Sequence, residues 1–285
     1  MSGSVTAAAQ GASAQKITKS SGSNLALAFI ALPRRRRKDI SIFYSFCRVV
    51  DDLADEPGLH FAERLRELDR WKRSLNGPVA DEPPLAAQVR DLIERYSIPV
   101  EYLVEIIFGC EMDVRGTTYE SWEDLQLYCH RVASVVGLVS IEIFDYTDPE
   151  TKTYAAQLGL ALQLTNIIRD VGQDYAANGR IYLPRADMDQ FEYDIGALAL
   201  HKEDQSFRGL MEFEAERARS LYESAREALP PVDRRSMIAA EIMRTVYSRL
   251  LRKMERDDFH VLTRRYRLTR WEKMRCVFRG WLGWR

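Results

Sequence analysis

The sequence has few of the residues that mark several common classes of protein. Its 285 residues include only four cysteines, and no two of them form a CxxC pair, so neither a zinc knuckle nor a disulfide framework is indicated and reduced thiols are expected. Positive charge is not in excess, with 41 Lys and Arg against 42 Asp and Glu, which argues against a typical nucleic-acid-binding protein. No run of 18 or more apolar residues is found, so no transmembrane helix is expected. The cysteines are Cys47, Cys110, Cys129 and Cys276.

Helical periodicity dominates the chain, and strand-like alternation is hard to find. Residues 1–20 are small and polar without an apolar centre, which predicts a disordered tail and not a signal peptide. We predict one all-α, cytoplasmic domain over residues 21–285, because proline and glycine separate the helices and the composition does not shift. The predicted helices are 25–32, 39–55, 62–76, 84–96, 100–114, 122–146, 150–177, 203–228 and 233–259.

One of these helices carries polar side chains where a core-facing helix should be apolar. In QLTNIIRDVGQD, the residues Gln163, Asn166, Asp170 and Asp174 lie at i, i+3, i+7 and i+11, which places them on one stripe. Amide and carboxylate groups are costly to bury unless a positive or hydrogen-bonding partner meets them. The stripe therefore predicts a polar site inside the protein.

An earlier helix repeats the pattern in FYSFCRVVDDLADEP. Tyr44, Arg48, Asp51 and Asp55 share a stripe, and Asp52 lies beside it. Strongly apolar residues flank both stripes, so we expect the two acidic faces to look into the protein and towards each other. Carboxylates that face each other repel, and a divalent cation is the ordinary remedy.

The donor types favour Mg²⁺ or Mn²⁺, which take carboxylates, water and substrate phosphates. An EF-hand is excluded by spacing, because Tyr175 and Glu56 stand where the sixth-position glycine is required. Arginines accompany both stripes, at Arg48, Arg169 and Arg180. Acidic stripes with interleaved arginines are the groups that a metal-bridged diphosphate needs.

Several ordered motifs resemble those of the squalene and phytoene synthase family, the head-to-head prenyltransferases. The motifs are LPRRRR, DDLAD (51–55), YCHRVASVVG (128–137), LQLTNIIRD and DVGQD (170–174), followed by GRIYLP, and the resemblance runs from about residue 21 to the end. It implies an all-α isoprenoid-synthase fold, a helical bundle around a central cavity. Near the N-terminus the family often has Ser-x-Ser-Phe, whereas this chain has SGSNLALAF without the aromatic residue.

The resemblance also implies roles for individual residues. The implied ligands of Mg²⁺ (or Mn²⁺) are Asp51, Asp52, Asp55, Asn166, Asp170 and Asp174. The implied substrate-binding residues are Ser21, Ser23, Asn24, Arg48, Gln163, Asn166 and Arg180. The implied catalytic residues are Tyr44, Arg48, Tyr128, Arg169 and Tyr247, with the tyrosines lining the cavity near the reacting carbons.

The implied reaction ionises one prenyl diphosphate, and the second molecule captures the allylic cation to form a cyclopropane. We expect two farnesyl diphosphates (C15) to give presqualene diphosphate or squalene for hopanoid or sterol precursors, with NADPH if squalene is the final product. FYSFCRVVDDLADE and SWEDLQLYCHRVASVVGL resemble bacterial hopanoid-pathway members, whose downstream isoprenoid enzymes would be partners. The alternatives are a phytoene synthase that uses two geranylgeranyl diphosphates (C20) and a non-catalytic assembly factor of the same fold.

The C-terminal segment 263–285 is basic and aromatic. It holds eight Arg or Lys residues against the single acidic Glu272, together with Trp271, Trp281 and Trp284. Such a segment predicts an amphipathic helix on an anionic membrane surface, and hence a peripheral protein on the inner face of the cell membrane. The alternative is that the segment docks on an acidic surface of the protein itself.

Overall fold

The structure is a computed structural model that describes residues 28–56 and 58–282, with side chains to residue 277. The regular elements of this part of the chain are helical, and none of its residues is in a strand, which confirms the all-α prediction. The predicted tail and the implied substrate-binding residues Ser21, Ser23 and Asn24 lie outside the described residues. The helices are α1 (Arg34–Asp55), α2 (Phe61–Leu75), α3 (Ala86–Tyr96), α4 (Val100–Arg115), α5 (Trp122–Cys129), a π-helix (His130–Ser134), α6 (Val135–Phe144), α7 (Thr151–Asn178), α8 (Arg185–Gln190), α9 (Ile195–Ala199), α10 (Gln205–Ala228), α11 (Ile238–Glu255) and α12 (Arg270–Leu282).

Proline and glycine mark the helix ends, as the sequence predicts. Pro33 precedes α1, which begins at Arg34 and so includes the basic run that the prediction had left outside the helix. Gly116 (φ 63°) and Gly179 (φ 66°) end α4 and α7 in the left-handed conformation, which glycine adopts without a steric penalty. The short helices α8 and α9 were missed because each is at most six residues long.

Helix α7 lies at the centre of the fold. It packs on α10, on the π-helix and on α6 and α11, and it carries buried residues along most of its length. The π-helix approaches α7 so closely at Gly159 that a Cβ there would lie 2.5 Å from the Cα of Ser134. Only glycine fits at this crossing, and the close approach fixes the wall that α6 presents to the interior.

The stretch Trp122–Phe144 is continuous through α5, the π-helix and α6. Within the described residues it alone is long and apolar enough to cross a membrane, but half of its apolar window is buried against protein. The sequence predicts no helix of this kind, because it has no uninterrupted run of 18 apolar residues. The stretch forms part of the core, where Val135, Val139 and Ile143 are buried.

Two carboxylates, those of the buried Asp233 and the partly buried Glu203, hold segments around α7 in place. Asp233 accepts hydrogen bonds at the start of α7 from the amides of Thr147 (2.7 Å) and Asp148 (2.8 Å) and from Thr151 Oγ1 (2.6 Å). It therefore fixes the loop that leads into α7 and the first residue of that helix.

Glu203 plays the corresponding part near the other end of α7. Its carboxylate bonds His260 Nδ1 (2.7 Å) and accepts the amide of Leu262 (2.9 Å). A Cβ on Gly172 of α7 would lie 2.7 Å from the Cα of Leu262, so the segment that follows α11 lies directly against α7. Helix α12 then packs back on α11.

Candidate active site

A large apolar cavity lies between α1, α6, α7 and α11. Its empty volume is about 940 Å³, counting the open mouth. Four of the predicted site residues, Tyr44, Gln163, Asn166 and Tyr247, line it. Other lining residues include Phe29, Val136, Ser140, Tyr154, Ala239 and Ala240. The structure thus brings polar residues of α1, α7 and α11 together beside one apolar chamber.

The first acidic stripe lies in the last two turns of α1. Arg48 pairs with Asp52 at 2.7 Å and more weakly with Asp51 at 3.4 Å. Asp51 reaches solvent in the cleft, yet the surrounding protein restricts its hydration and raises its pKa to about 6. Arg48 opposes this rise, and Asp55 adds to it. The predicted clustering of carboxylates on this helix is therefore present.

The second stripe lies in the C-terminal half of α7. Arg169 forms a bidentate ion pair with Asp170, and the hydroxyl of Tyr247 lies beside the same guanidinium. Restricted hydration raises the pKa of Asp174 to about 7, and Asp170 adds to the rise. Asn166 donates to Gln163 at 3.4 Å, while its buried Oδ1 has no hydrogen-bond partner.

Asp113 of α4 connects the two stripes, and the sequence did not single it out. Its charge contributes to the raised pKa values of both Asp51 and Asp174, so both stripes face the same third carboxylate. Arg180 spans the cleft, donating to Asp55 Oδ1 at 2.7 Å and to the backbone oxygen of Asp113 at 3.3 Å. The two acidic stripes are therefore linked through Asp113 and Arg180, with no direct pairing between their carboxylates among the contacts described.

Two tyrosines hold Asp113. The hydroxyls of Tyr182 (2.7 Å) and Tyr128 (3.0 Å) both donate to its carboxylate, and the two rings stack with centroids 5.1 Å apart. Burial still raises the pKa of Asp113. Tyr128, which the resemblance placed in the cavity wall, therefore lies on Asp113 and is not among the residues that line the large cavity. Tyr182 belongs to the GRIYLP motif, which was the available sequence signal for this cluster.

Arg265 is a second residue that the sequence did not reveal. It follows the segment that Glu203 anchors, and its Nε lies 3.9 Å from Asp170 Oδ1 with the side chain about half exposed. A basic run in a C-terminal segment gives no indication of which arginine turns towards the cleft. The position of Arg265 depends on the segment before it, where Leu262 lies against Gly172 of α7 and donates its amide to Glu203.

The site is suited to a divalent cation, although the carboxylates are not gathered into a closed cage. Across residues 28–56 and 58–282, no three His, Cys, Asp or Glu side chains are close enough to hold an ion by themselves. The donor set is nevertheless one of oxygen ligands, with neighbouring carboxylates that raise the pKa values of Asp51 and Asp174 and with the unpartnered Oδ1 of Asn166. Mg²⁺ completes its coordination with water and substrate oxygens, so an open set of acids fits it.

Comparison with known proteins agrees with this arrangement. A family model described as squalene/phytoene synthase matches residues 18–272. A phytoene synthase from Arthrospira platensis is 34% identical over 263 residues, covering 86% of this chain and 84% of that protein. Among solved structures, a dehydrosqualene synthase in complex with ligand has a TM-score of 0.82 at 25% identity, covering 95% and 94% of the two chains. Squalene synthase HpnC from Alicyclobacillus acidocaldarius has a TM-score of 0.76 at 28% identity, covering 86% and 93%.

An all-helical fold with two acidic stripes beside an apolar cavity defines the isoprenoid synthases as the class. Within that class, the chain belongs to the squalene/phytoene synthase family. Members of this family are prenyltransferases that generally depend on a divalent metal, so the prediction of a prenyltransferase is confirmed.

Proposed function

We propose that the protein condenses two geranylgeranyl diphosphates head to head to form phytoene. The observation that carries the proposal is the apolar cavity, which continues along α7 from the acidic cleft at Asp170 and Asp174 past Asn166. Such a site suits a ligand with a charged head and a long hydrocarbon tail. The C20 substrate is the better supported choice, because relatives at 33% and 34% identity are phytoene synthases. The sequence alone favoured the C15 substrate.

The arginines of the cleft would bind the diphosphate groups. Arg48, Arg169 and Arg180 already hold carboxylates of the two stripes, and their guanidinium groups match phosphate oxygens equally well. Asp51, Asp55, Asp170, Asp174 and Asn166 would hold Mg²⁺, with Asp52 supporting Arg48. When bound, Mg²⁺ would supply positive charge that stabilises the departing diphosphate.

The cavity walls would protect the carbocation. Tyr44 and Tyr247 lie where the apolar lining meets the cleft, and Phe29 packs edge-on against Tyr44 with ring centroids 6.3 Å apart. Aromatic faces stabilise a cation and exclude water that would quench it. Loss of a proton closes the cyclopropane, departure of the second diphosphate allows the cyclopropyl intermediate to rearrange, and loss of another proton would then give phytoene without a reductant, whereas squalene requires NADPH.

The test is product analysis with purified protein. C15 and C20 diphosphates are supplied separately and together, with Mg²⁺ or with EDTA, and with or without NADPH. We expect Mg²⁺-dependent diphosphate release from the C20 substrate and a C40 product that does not require NADPH. Exclusive use of the C15 substrate would overturn the choice of substrate, and no release from either would overturn the reaction.

A specific observation favours the C15 substrate as a second candidate. The structural comparisons include a dehydrosqualene synthase and a squalene synthase, at 25% and 28% identity. In that case the same assay yields a C30 product, presqualene diphosphate without NADPH or squalene with it, for the next isoprenoid enzymes.

We also propose that the protein binds anionic membranes through its C-terminal segment. Trp271 (82% exposed) and Met274 (54%) point away from the protein on α12, and Arg267, Arg270 and Arg275 are exposed around them. Cys276 of the same helix is buried, so α12 docks on one face and presents an apolar and basic face on the other. Phytoene is a hydrocarbon that partitions into lipid, so binding at a membrane surface would favour release of the proposed product.

Sedimentation with vesicles tests the membrane proposal. We expect binding to phosphatidylglycerol vesicles at low salt, release at high salt and loss of binding on truncation after Leu268 or in Trp271→Glu. Leu200, which is 70% exposed at the C-cap of α9, provides the matched control Leu200→Glu, which should bind as the parent does. Undiminished binding by both C-terminal variants would contradict the proposal.

A further inference from the structure

A buried tyrosine closes the end of the cavity farthest from the acidic cleft. Tyr154 lies in the first turn of α7, is fully buried and lines the cavity. Its hydroxyl donates to Glu241 Oε1 at 3.1 Å. Arg244 holds both oxygens of that carboxylate, with Nε at 2.9 Å from Oε1 and Nη2 at 2.7 Å from Oε2. The ring is therefore fixed by a hydrogen-bond network outside the lining itself.

The order of residues along α7 identifies this end as the distal one. Asn166 stands where the lining meets the acidic stripe, and Tyr154 lies twelve residues before it, which corresponds to about 18 Å of α-helix. On α11 the lining runs from Ala239 to Tyr247, and Tyr247 lies beside Arg169 of the acidic stripe. Ala239 and Ala240 are therefore at the same distal end as Tyr154.

We propose that Tyr154 sets the length of prenyl chain that the enzyme accepts, with Glu241 and Arg244 as positioning residues that prevent the ring from moving aside. The inference rests on the proposed function of the same cavity. An apolar chain gains binding free energy for each carbon that it buries, up to the point where it meets a fixed wall. One isoprenoid unit more must displace the ring or remain outside, and close-packed interiors resist such displacement.

Removal of the ring should lengthen the preferred substrate. In competition between C15, C20 and C25 diphosphates, we expect Tyr154→Ala to shift the ratio of longer to shorter substrate consumed at least tenfold upward. Glu241 keeps its pairing with Arg244 in this variant, so no buried charge loses its partner. If Tyr154→Ala does not fold, Tyr154→Leu serves the same purpose. A ratio within twofold of the parent would overturn the proposal.

The opposite change should shorten the preferred substrate. Ala240→Leu adds side-chain volume at the distal end, and we expect it to reduce use of the C20 substrate more than use of the C15 substrate. The matched control is Tyr193→Ala, because Tyr193 is also a fully buried, hydrogen-bonded tyrosine but lies outside this cavity. An equal shift in the control would mean that general loosening, and not the distal wall, determines the ratio.

The positioning role has its own readout. Glu241→Ala should free the ring and shift the ratio in the same direction as Tyr154→Ala, but less. Tyr154→Phe lacks the hydroxyl, so Glu241→Ala should cause no further shift in that background. A shift of equal size in both backgrounds would show that Glu241 acts independently of Tyr154 and would overturn its assignment.

Binding of unreactive analogues separates this inference from the reaction itself. C15, C20 and C25 thiodiphosphates are titrated into the parent and Tyr154→Ala, and the midpoint of thermal unfolding is recorded. A change in chain-length preference between the two proteins supports the inference even if no condensation product forms. Unchanged preference alongside normal condensation would overturn the inference and leave the proposed function standing.

Discussion

Carboxylates at the two ends of α7 have pKa values that are shifted in opposite directions. At its start, burial alone would raise the pKa of Asp233, but hydrogen bonds from Thr151, Asp148 and Thr147 outweigh it and hold the pKa below its ordinary value. At its end, Asp174 has a pKa of about 7 because hydration is restricted and Asp170 is close. A helix dipole favours anions at the start and disfavours them at the end.

The same disfavoured placement occurs in α1, whose acidic stripe also falls at its C-terminal end. Neither α1 nor α7 has a basic residue in its last turn, although such residues commonly stabilise a helix end. A carboxylate with donors around it stabilises the fold, whereas carboxylates gathered at two helix ends repel one another, which fits the cation site proposed above. The contrast separates structural acids from functional ones, and the following substitutions test it.

The largest effect should come from removing a carboxylate of the functional kind. Asp170→Asn is expected to reduce turnover by about 100-fold or more, since groups that stabilise transition-state charge contribute this much. The melting temperature should hold or rise, because the substitution removes the repulsion between Asp170 and Asp174. Turnover and thermal unfolding are measured on the same preparation, with the exposed Asp189→Asn as control. Unfolding with unchanged turnover per folded molecule would contradict the assignment.

Removing the structural carboxylate should have the reverse outcome. Asp233→Ala leaves one buried and two partly buried donors unpaired and is expected to lower the free energy of unfolding by about 2–4 kcal/mol. Chain-length preference and turnover per folded molecule should not change. Denaturant unfolding is the measurement, and Glu212→Ala, at an exposed position on α10, should change stability by less than about 0.5 kcal/mol. Equal losses in the two variants would argue against a structural role for Asp233.

A third buried acid predicts how stability depends on pH. Burial raises the pKa of Glu214 from 4.5 to about 7, with Arg217 opposing and Asp187 adding to the rise. As pH rises, the folded state keeps this proton to a higher pH than the unfolded chain does. The contribution of Glu214 to the free energy of unfolding is therefore fully present below about pH 4.5 and is lost as pH rises to about 7. The loss amounts to up to about 3 kcal/mol. Glu214→Gln should flatten this part of the curve of unfolding free energy against pH, and a curve identical to that of the parent would refute the contribution.

The smallest effect is expected at the edge of the cleft. Arg265→Ala removes a half-exposed partner of Asp170 and should raise the KM for prenyl diphosphate about fivefold with little change in kcat, since such ion pairs contribute up to about 1 kcal/mol. Arg264, which pairs with Asp257 at 3.0 Å on the outside of the same segment, provides the control Arg264→Ala. Equal changes in KM for both variants would mean that general positive charge, and not the position of Arg265, matters.

Sequence reasoning recovered the parts of the site that repeat within one helix. The stripes on α1 and α7 follow from 3.6-residue periodicity, so Asp51, Asp55, Asp170 and Asp174 could be found without coordinates. Asp113 could not, because it is a lone acid on α4 whose partners Tyr128 and Tyr182 are 15 and 69 residues away. Long-range pairings of this kind depend on how helices cross, which a single sequence does not express.

The distal wall of the cavity could not be predicted from the sequence, because it too depends on a long-range pairing. Tyr154 and Glu241 are 87 residues apart and read separately as an apolar and a charged helix position. The apolar stretch around His130 was correctly predicted as helical, but its π-helical turn was not foreseen. No rule of spacing distinguishes a π turn from an α turn when the residues suit both.

That π turn determines the rotational phase of the chain on either side of it. It holds one more residue than an α-helical turn, so each side chain after Ser134 is rotated by about 100° relative to an uninterrupted helix. Tyr128, before the turn, reaches Asp113, while Val136 and Ser140, after it, form cavity wall. Loss of a single residue from His130–Ser134 would restore an ordinary helix and leave only one of these two faces correctly aimed.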